Sequence, residues 1–159
     1  MFGWKDIPTF FWAFFLVLPL VAIVHQMGHT LFALLFGGKG SFTVGRGRTL
    51  LKVGVVKIKH LYFLDSFCEY EGLKFINKFT HALVYLGGPL FNLLSVLLIN
   101  SMISDHIWEP NAFFYQFSYF SVYFVFFALL PVKYAKNHSS DGRAIYDVLK
   151  YGRTCDTFD

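Results

Sequence analysis

The sequence predicts an all-α polytopic membrane protein with three spanning helices and a small β-hairpin or sheet between the first two. The 159-residue chain is 55% hydrophobic but only 15% charged, and 21 of its residues are Phe. An average soluble domain has about 25% charged residues, so this chain lacks the charge to cover a water-facing surface. We therefore expect residues 1–159 to form a single domain embedded in the lipid bilayer.

Three apolar stretches are long enough to cross a bilayer, which takes about 20 residues. We place the spans at about residues 7–36, 82–104 and 111–132. The first stretch has only a weakly positive start and no small-residue cleavage site after it, so we expect a retained span and not a signal peptide.

Proline and glycine predict irregularities within these spans. Pro19 predicts a bend in the first helix, because proline lacks the backbone N–H and clashes with the preceding turn. Gly87-Gly88-Pro89 interrupts the second apolar stretch, and Pro131 lies near the end of the third.

Basic residues are distributed very unevenly around the spans. Of the 14 Lys and Arg residues, only Lys5 precedes the first span, and the other 13 lie in the loop 37–79 and the tail 133–159. Cytosolic segments carry such an excess, so we expect an outside N-terminus, a cytosolic loop and a cytosolic tail in a bacterial cytoplasmic membrane. Because the charges lie between apolar spans and not on one face, they do not indicate nucleic-acid binding.

The loop and the tail have local patterns of their own. Alternating apolar residues over 50–63, preceded by Gly45 and Gly47, predict two short strands. Helical spacing over 69–79 predicts a short helix on the membrane surface. Residues 142–150 are typical of a helix with Asp141 at its N-cap. The two cysteines, Cys68 and Cys155, have no paired metal or redox spacing, and we expect no disulfide.

His25 and His29 are the candidate metal ligands of the first span. Four residues apart on a helix, their rings project from one face and can bind one ion, and neutral imidazole suits Zn²⁺. The alternative is a pair of core histidines bonded to the backbone or to each other. Polar side chains are costly inside a membrane and are functional candidates there, which favours the metal.

Asp141 is the best candidate for a third ligand. By the predicted topology it follows the cytosolic end of the third span, at the same membrane depth as His25 and His29. The alternative is a plain helix N-cap, which is common for Asp.

Three segments together resemble the site-2 protease family of intramembrane zinc metalloproteases. Residues 25–29 (HQMGH) resemble the family's HExGH motif, residues 88–92 (GPLFN) its G-P-x-x-N segment, and residues 129–131 (LLP) followed by Asp141-Gly142 its third-helix motif. The motifs occur in family order and cover almost the whole chain. The resemblance implies a three-helix site-2 protease core, Zn²⁺ bound by two histidines and the aspartate, and cleavage of membrane-spanning or hydrophobic peptides near the cytosolic face. It also implies that the strands near residues 50–63 pair with an unwound substrate.

The sequence departs from that family in three places. Gln26 replaces the glutamate that acts as general base, so we expect this form to be inactive or nearly so. Ala128 replaces an asparagine that would stabilise the oxyanion, a role that Asn92 or Asn137 would then have to supply. The spacer before Asp141 is long, and its His138 is either a competing ligand or, as its position favours, an exposed loop histidine.

Gln26 leaves two explanations and three functional hypotheses. The chain is either a natural pseudoprotease or an active enzyme with an isosteric substitution made to trap substrate, and the retention of all three ligands favours the second. A pseudoprotease would bind transmembrane peptides without cutting them. A diiron or haem enzyme would need further histidine clusters, but the other four histidines are scattered in the sequence. An accessory membrane subunit or a homo-oligomer is compatible with the sequence.

Overall fold

The structure is a computed structural model and describes residues 3–4, 7–135, 138–154 and 157–158. Lys5, Asn137 and Cys155 therefore lie outside the described residues. Three helices of the described part are long and apolar enough to cross a membrane: Ile7–Leu35, Lys78–Ser104 and Ala112–Leu129. Three such helices are what the sequence predicted, with ends that differ by a few residues.

The first span contains a π-helical turn directly before its proline. Helix α1 (Ile7–Trp12) leads into a π-helical turn at Ala13–Val17, and α2 (Leu18–Leu35) follows. Pro19 lies in the first turn of α2. The π-helical turn changes the hydrogen-bonding pattern just where proline removes a donor. This turn directly precedes Pro19, and the bend predicted there from the sequence stays a prediction.

The second span is one unbroken helix, α3 (Lys78–Ser104), so the interruption predicted at Gly87-Gly88-Pro89 is wrong. The glycines instead allow two helices to approach closely. A Cβ on Gly87 would lie 2.7 Å from the carbonyl oxygen of Gly28 in α2, and a Cβ on Gly28 would collide with the carbonyl oxygen of Gly87. The reason for these glycines is tertiary packing between α2 and α3 and not a local break.

Helix α4 (Ala112–Leu129) is the third span, and an asparagine caps its start. The side chain of Asn111 accepts a hydrogen bond from the backbone N–H of Phe114 at 3.2 Å. The helix ends two residues before Pro131, as expected because the residue before a proline disfavours helical geometry.

A long antiparallel hairpin connects the first two spans. Strand β1 (Lys39–Val53) pairs with β2 (Val56–Glu71), so the strands extend well beyond the predicted residues 50–63. The surface helix predicted at 69–79 is wrong. Ser66 and Cys68 are buried whereas Glu69 and Glu71 are exposed, which is the period-two pattern of a strand.

The tail adds three short strands to this hairpin. They are β3 (Lys133–Ala135), β4 (His138–Ser139) and β5 (Thr157–Phe158), and the order in the sheet is β1-β2-β5-β4-β3. The sequence predicted a sheet confined to the segment between the first two spans. The observed sheet also includes strands of the tail. Helix α5 (Asp141–Tyr151) lies between β4 and β5 in the chain and packs on α3 and α4.

Candidate metal centre

The two histidines of α2 project together into the protein. His25 is 1% exposed and His29 is fully buried, and their ring centroids lie 4.8 Å apart. The i, i+4 spacing on a helix accounts for this proximity. The histidine pair is therefore inside the packed part of the protein and not on its lipid-facing surface.

The backbone of α3 determines which nitrogen of His29 is available to a ligand. Nδ1 of His29 lies 2.8 Å from the carbonyl oxygen of Val84 and 3.2 Å from the backbone nitrogen of Gly88. A carbonyl oxygen can only accept, so the shorter contact requires the proton on Nδ1. Nε2 then carries a lone pair, the form in which imidazole binds a metal.

A carboxylate oxygen faces both imidazoles. Oδ2 of Asp141 lies 3.1 Å from Nε2 of His25 and 3.4 Å from Nε2 of His29. The lone pair on Nε2 of His29 and the lone pairs of the carboxylate repel each other unless a cation or a proton lies between them. The three side chains therefore form a group that favours a positive charge at its centre.

Ser140, and not Asp141, caps helix α5. The side chain of Ser140 accepts a hydrogen bond from the backbone N–H of Arg143 at 3.3 Å. Asp141 is the first residue of the helix. The N-cap position predicted for Asp141 is therefore wrong, and its carboxylate is not used for capping.

Asp141 is completely buried, yet the pKa of its carboxyl group is lowered. Burial alone would raise this pKa, but a proton or other positive charge shared with His29 and His25 outweighs burial and holds the pKa below its usual value. Oδ1 of Asp141 has no hydrogen-bond partner among the described residues. A buried carboxylate with an unsatisfied oxygen is costly, and a bound cation would remove that cost.

The space at the centre of the three ligands fits a metal ion. The candidate ligand atoms of His25, His29 and Asp141 all lie within 4.8 Å of one another, and they are the one such cluster of His, Cys, Asp or Glu in the described part of the chain. Gly88 forms the wall opposite. A Cβ there would lie 2.6 Å from Nε2 of His25 and would collide with Nε2 of His29. Two imidazoles and a carboxylate are a common donor set for Zn²⁺.

Asn92 contacts the other nitrogen of His25. Nδ2 of Asn92 lies 3.2 Å from Nδ1 of His25, and Oδ1 of Asn92 has no hydrogen-bond partner among the described residues. A side-chain amide can present either its nitrogen or its oxygen to a neighbour. The amide oxygen would match a His25 that carries its proton on Nδ1 and uses Nε2 for a metal.

Gln26 is fully buried beside the histidines, and its amide is held by the β-sheet. Its Nε2 donates a hydrogen bond to Oγ of Ser66 in β2 at 3.0 Å. Oε1 of Gln26 has no hydrogen-bond partner in the described part of the chain. No signal in the sequence marked Ser66, because one serine in an alternating strand is unremarkable until the strand is placed against α2.

An apolar cavity of about 350 Å³ adjoins the candidate centre. Its lining includes His25 and Gln26, and Ala128 contributes its methyl group where the resemblance would have placed an asparagine. The other lining residues come from α2, β2, α4 and β3, namely Leu18, Pro19, Ala22, Tyr62, Phe63, Ser66, Tyr123, Phe124, Phe127 and Tyr134. This volume is within the range of small-molecule and cofactor pockets.

The remaining His, Cys and Asn residues named from the sequence do not belong to the cluster of candidate ligands or lie outside the described residues. His138 contributes backbone to β4, but its side chain and all of Asn137 are outside the described residues. His81 contacts Tyr70, with Nδ1 2.6 Å from the hydroxyl oxygen. Cys68 is a buried free thiol, and burial raises its pKa to about 12.

The chain is similar to two proteins of bacteria. It is 56% identical over 152 residues, with 96% of both chains covered, to the "Uncharacterized membrane protein YwmF" of Bacillus subtilis (strain 168). It is 28% identical over 113 residues to a "Putative zinc metalloprotease" of Borreliella burgdorferi. This match covers 56% of this chain and 26% of that protein. No family model matches the chain, and no solved structure matches it. The extent and identity of the first match show that this chain belongs to the family of the Bacillus subtilis membrane protein YwmF.

Proposed function

We propose that this chain is an intramembrane zinc endopeptidase core of the site-2 protease type, present here in a form that does not cleave. The observation that carries the proposal is the convergence of two imidazoles from α2 and one carboxylate from α5 at the edge of an apolar cavity. The partial similarity to a protein named as a zinc metalloprotease supports it. The proposed substrates are membrane-spanning or hydrophobic peptides, cut near the cytosolic face.

In this proposal His25, His29 and Asp141 are the three zinc ligands. Zn²⁺ bound there would act as a Lewis acid toward a peptide carbonyl and would lower the pKa of water. Val84 orients His29 through its carbonyl oxygen, and Asn92 orients His25 through its amide. Such outer contacts fix the tautomer of a ligating histidine. We therefore assign Asn92 to His25 in place of the oxyanion role suggested by the sequence.

The cavity supplies the binding site for the peptide. Its walls are mostly aliphatic and aromatic side chains of α2, α4 and β2, which suit a hydrophobic segment and exclude bulk water. Hydrolysis then requires a group that takes a proton from the attacking water and returns it to the leaving amine. Gln26 occupies that position, but a neutral amide does not accept the proton.

Gln26→Glu tests the proposal directly. A general base contributes about 10²- to 10⁴-fold, so the variant, purified with zinc, should cleave a panel of single-span peptides at least a hundredfold faster than the present chain. Gln116→Glu in α4 makes the same chemical change in another span and should give no activity. Failure of the restored variant to cleave any peptide of the panel would contradict the proposal.

One observation favours a second candidate, a module that binds transmembrane peptides without cutting them. The buried amide of Gln26 has a hydrogen-bond partner of its own in Ser66, so glutamine is well accommodated at this position. If this second function is correct, the present chain should bind transmembrane peptides, and Gln26→Glu should not cleave them. Co-purification of the peptide with the inactive variant would support it.

A further inference from the structure

Ser66 joins the β-sheet to the residue at the position of the general base. Ser66 is 8% exposed, Gln26 is fully buried, and 40 residues separate them in the chain. Together with the contact between Thr30 and Cys68, the hydrogen bond between Ser66 and Gln26 joins buried polar side chains of α2 and β2. This hydrogen bond lies beside the candidate ligand His25 and on the wall of the cavity. It therefore affects how the side chain at position 26 is oriented.

A serine can hold either glutamine or glutamate at position 26. A hydroxyl both donates and accepts, so its oxygen accepts from the amide of Gln26 and its proton would be donated to a carboxylate. Hydrogen bonds to charged groups are shorter and roughly twice as strong as neutral ones. The same contact would therefore be stronger in an active form with glutamate.

We propose that Ser66 is the positioning residue for the side chain at position 26, holding it toward the candidate zinc site. The inference rests on the proposed function and deepens it. Gln and Glu have three side-chain torsions and lose much rotamer freedom when they are ordered, so an anchor at the end of the side chain selects one orientation. The neighbouring Thr30 donates to the backbone oxygen of Gln26 at 3.0 Å and leaves the side-chain amide to Ser66.

The same strand also forms part of the cavity wall. Tyr62, Phe63 and Ser66 of β2 all line it, and β5 pairs with β2 at Cys68 and Glu69. A peptide that enters the cavity contacts β2, and the hydroxyl of Ser66 in this strand holds the side chain of residue 26. Binding and the orientation of the general base are thus linked through β2.

The test uses the full chain in lipid nanodiscs, with Gln26→Glu as the background. Ser66→Ala should lower kcat by about ten- to a hundredfold, the effect of losing a hydrogen bond to a charged group, while KM and the zinc content per chain stay within twofold. Ser66→Thr keeps the hydroxyl and should recover most of the rate. Ser121→Ala removes another buried serine hydroxyl, one without a hydrogen-bond partner among the described residues, and should change nothing.

A second measurement keeps this inference separate from the proposed function. In the present Gln26 form, with 15N-labelled glutamine, Ser66→Ala should speed the hydrogen exchange of the Gln26 side-chain amide, and Ser121→Ala should not. If Gln26→Glu is inactive but the amide responds, the proposed function fails and the positioning by Ser66 stands. An unchanged kcat in Ser66→Ala, an equal loss of kcat and zinc, no recovery by threonine, or an unresponsive amide would each overturn the inference.

Discussion

Oδ2 of Asp141 lies 3.1 Å from Nε2 of His25, although 116 residues separate the two in the chain. The histidine belongs to the first span and the aspartate to α5, beyond the third. Ser140 makes this meeting possible, because it caps α5 and leaves the aspartate carboxylate for the histidines. Gly142 contributes as well, since a Cβ there would collide with the carbonyl oxygen of Leu129 at the end of α4.

The first prediction concerns the carboxylate. Asp141→Asn keeps the shape of the side chain but removes its charge, so zinc affinity should fall by more than the 10- to 100-fold that is typical for loss of an outer-shell partner. Competitive titration with a chromophoric chelator would measure this. Asp147→Asn is the matched control on the same helix, because Asp147 pairs with Arg143 at 3.0 Å away from the candidate ligands. Equal zinc affinities for the two variants would show that Asp141 is not a zinc ligand.

The second prediction separates two adjacent glycines of α3. Gly88→Ala should abolish zinc binding, because its methyl group would occupy the space at the two Nε2 atoms. Gly87→Ala should mainly lower the unfolding temperature, because its methyl group would push α3 away from the backbone of α2. Zinc content and thermal unfolding of both proteins would test this division.

Leu94→Ala provides the reference for these two glycine variants. Leu94 is on the same helix and 57% exposed, so its truncation should leave zinc content unchanged. A Gly88→Ala protein that binds zinc as well as Leu94→Ala does would contradict the geometry described for the centre.

The third prediction concerns the ionisation of Cys68. Burial is the largest cause of a thiol pKa of about 12, and the charge of Asp141 adds to it. The pKa is raised, so the thiol stays neutral through the whole range in which an ordinary cysteine, with a pKa near 8.5, becomes a reactive thiolate. In a Cys155→Ser variant, alkylation of the native protein should therefore stay slow from pH 7 to pH 10.

Denaturation in sodium dodecyl sulfate supplies the comparison for Cys68. The same Cys155→Ser protein should then be alkylated with a midpoint near pH 8.5, because the thiol is exposed to water. A native protein that shows this same midpoint would mean that Cys68 is not buried against Thr30 and the core.

Features that depend on local chemistry were predictable from the sequence. Each span must satisfy its own backbone hydrogen bonds inside the helix, because lipid supplies no partners, and so a run of apolar residues is sufficient to locate it. The pairing of His25 with His29 is equally local, since the helix repeat alone brings residues four apart to one face.

Features that depend on distant partners were not predictable in this way. Gly87 and Gly88 are typical helix breakers in isolation, but here their missing side chains let α3 approach α2 and leave room at the histidines. The segment 69–79 has helical spacing, yet its first residues extend β2, because pairing with β1 and β5 satisfies their backbone. The hydroxyl of Ser66 acquired its role only when β2 came to lie against α2.

The sequence by itself determined the three apolar helices and the histidine pair, because both follow from patterns that repeat within one turn or one span. The order of the segments and the family resemblance named Asp141 as the candidate third ligand, but the tertiary structure decided which groups meet the histidine pair. Asp141, Gly88 and Ser66 come from three other elements, and nothing in their sequence neighbourhoods specifies a distance to α2. Close packing of α3, β2 and α5 around α2 supplies those distances, and with them the arrangement that supports a metal centre at positions 25, 29 and 141.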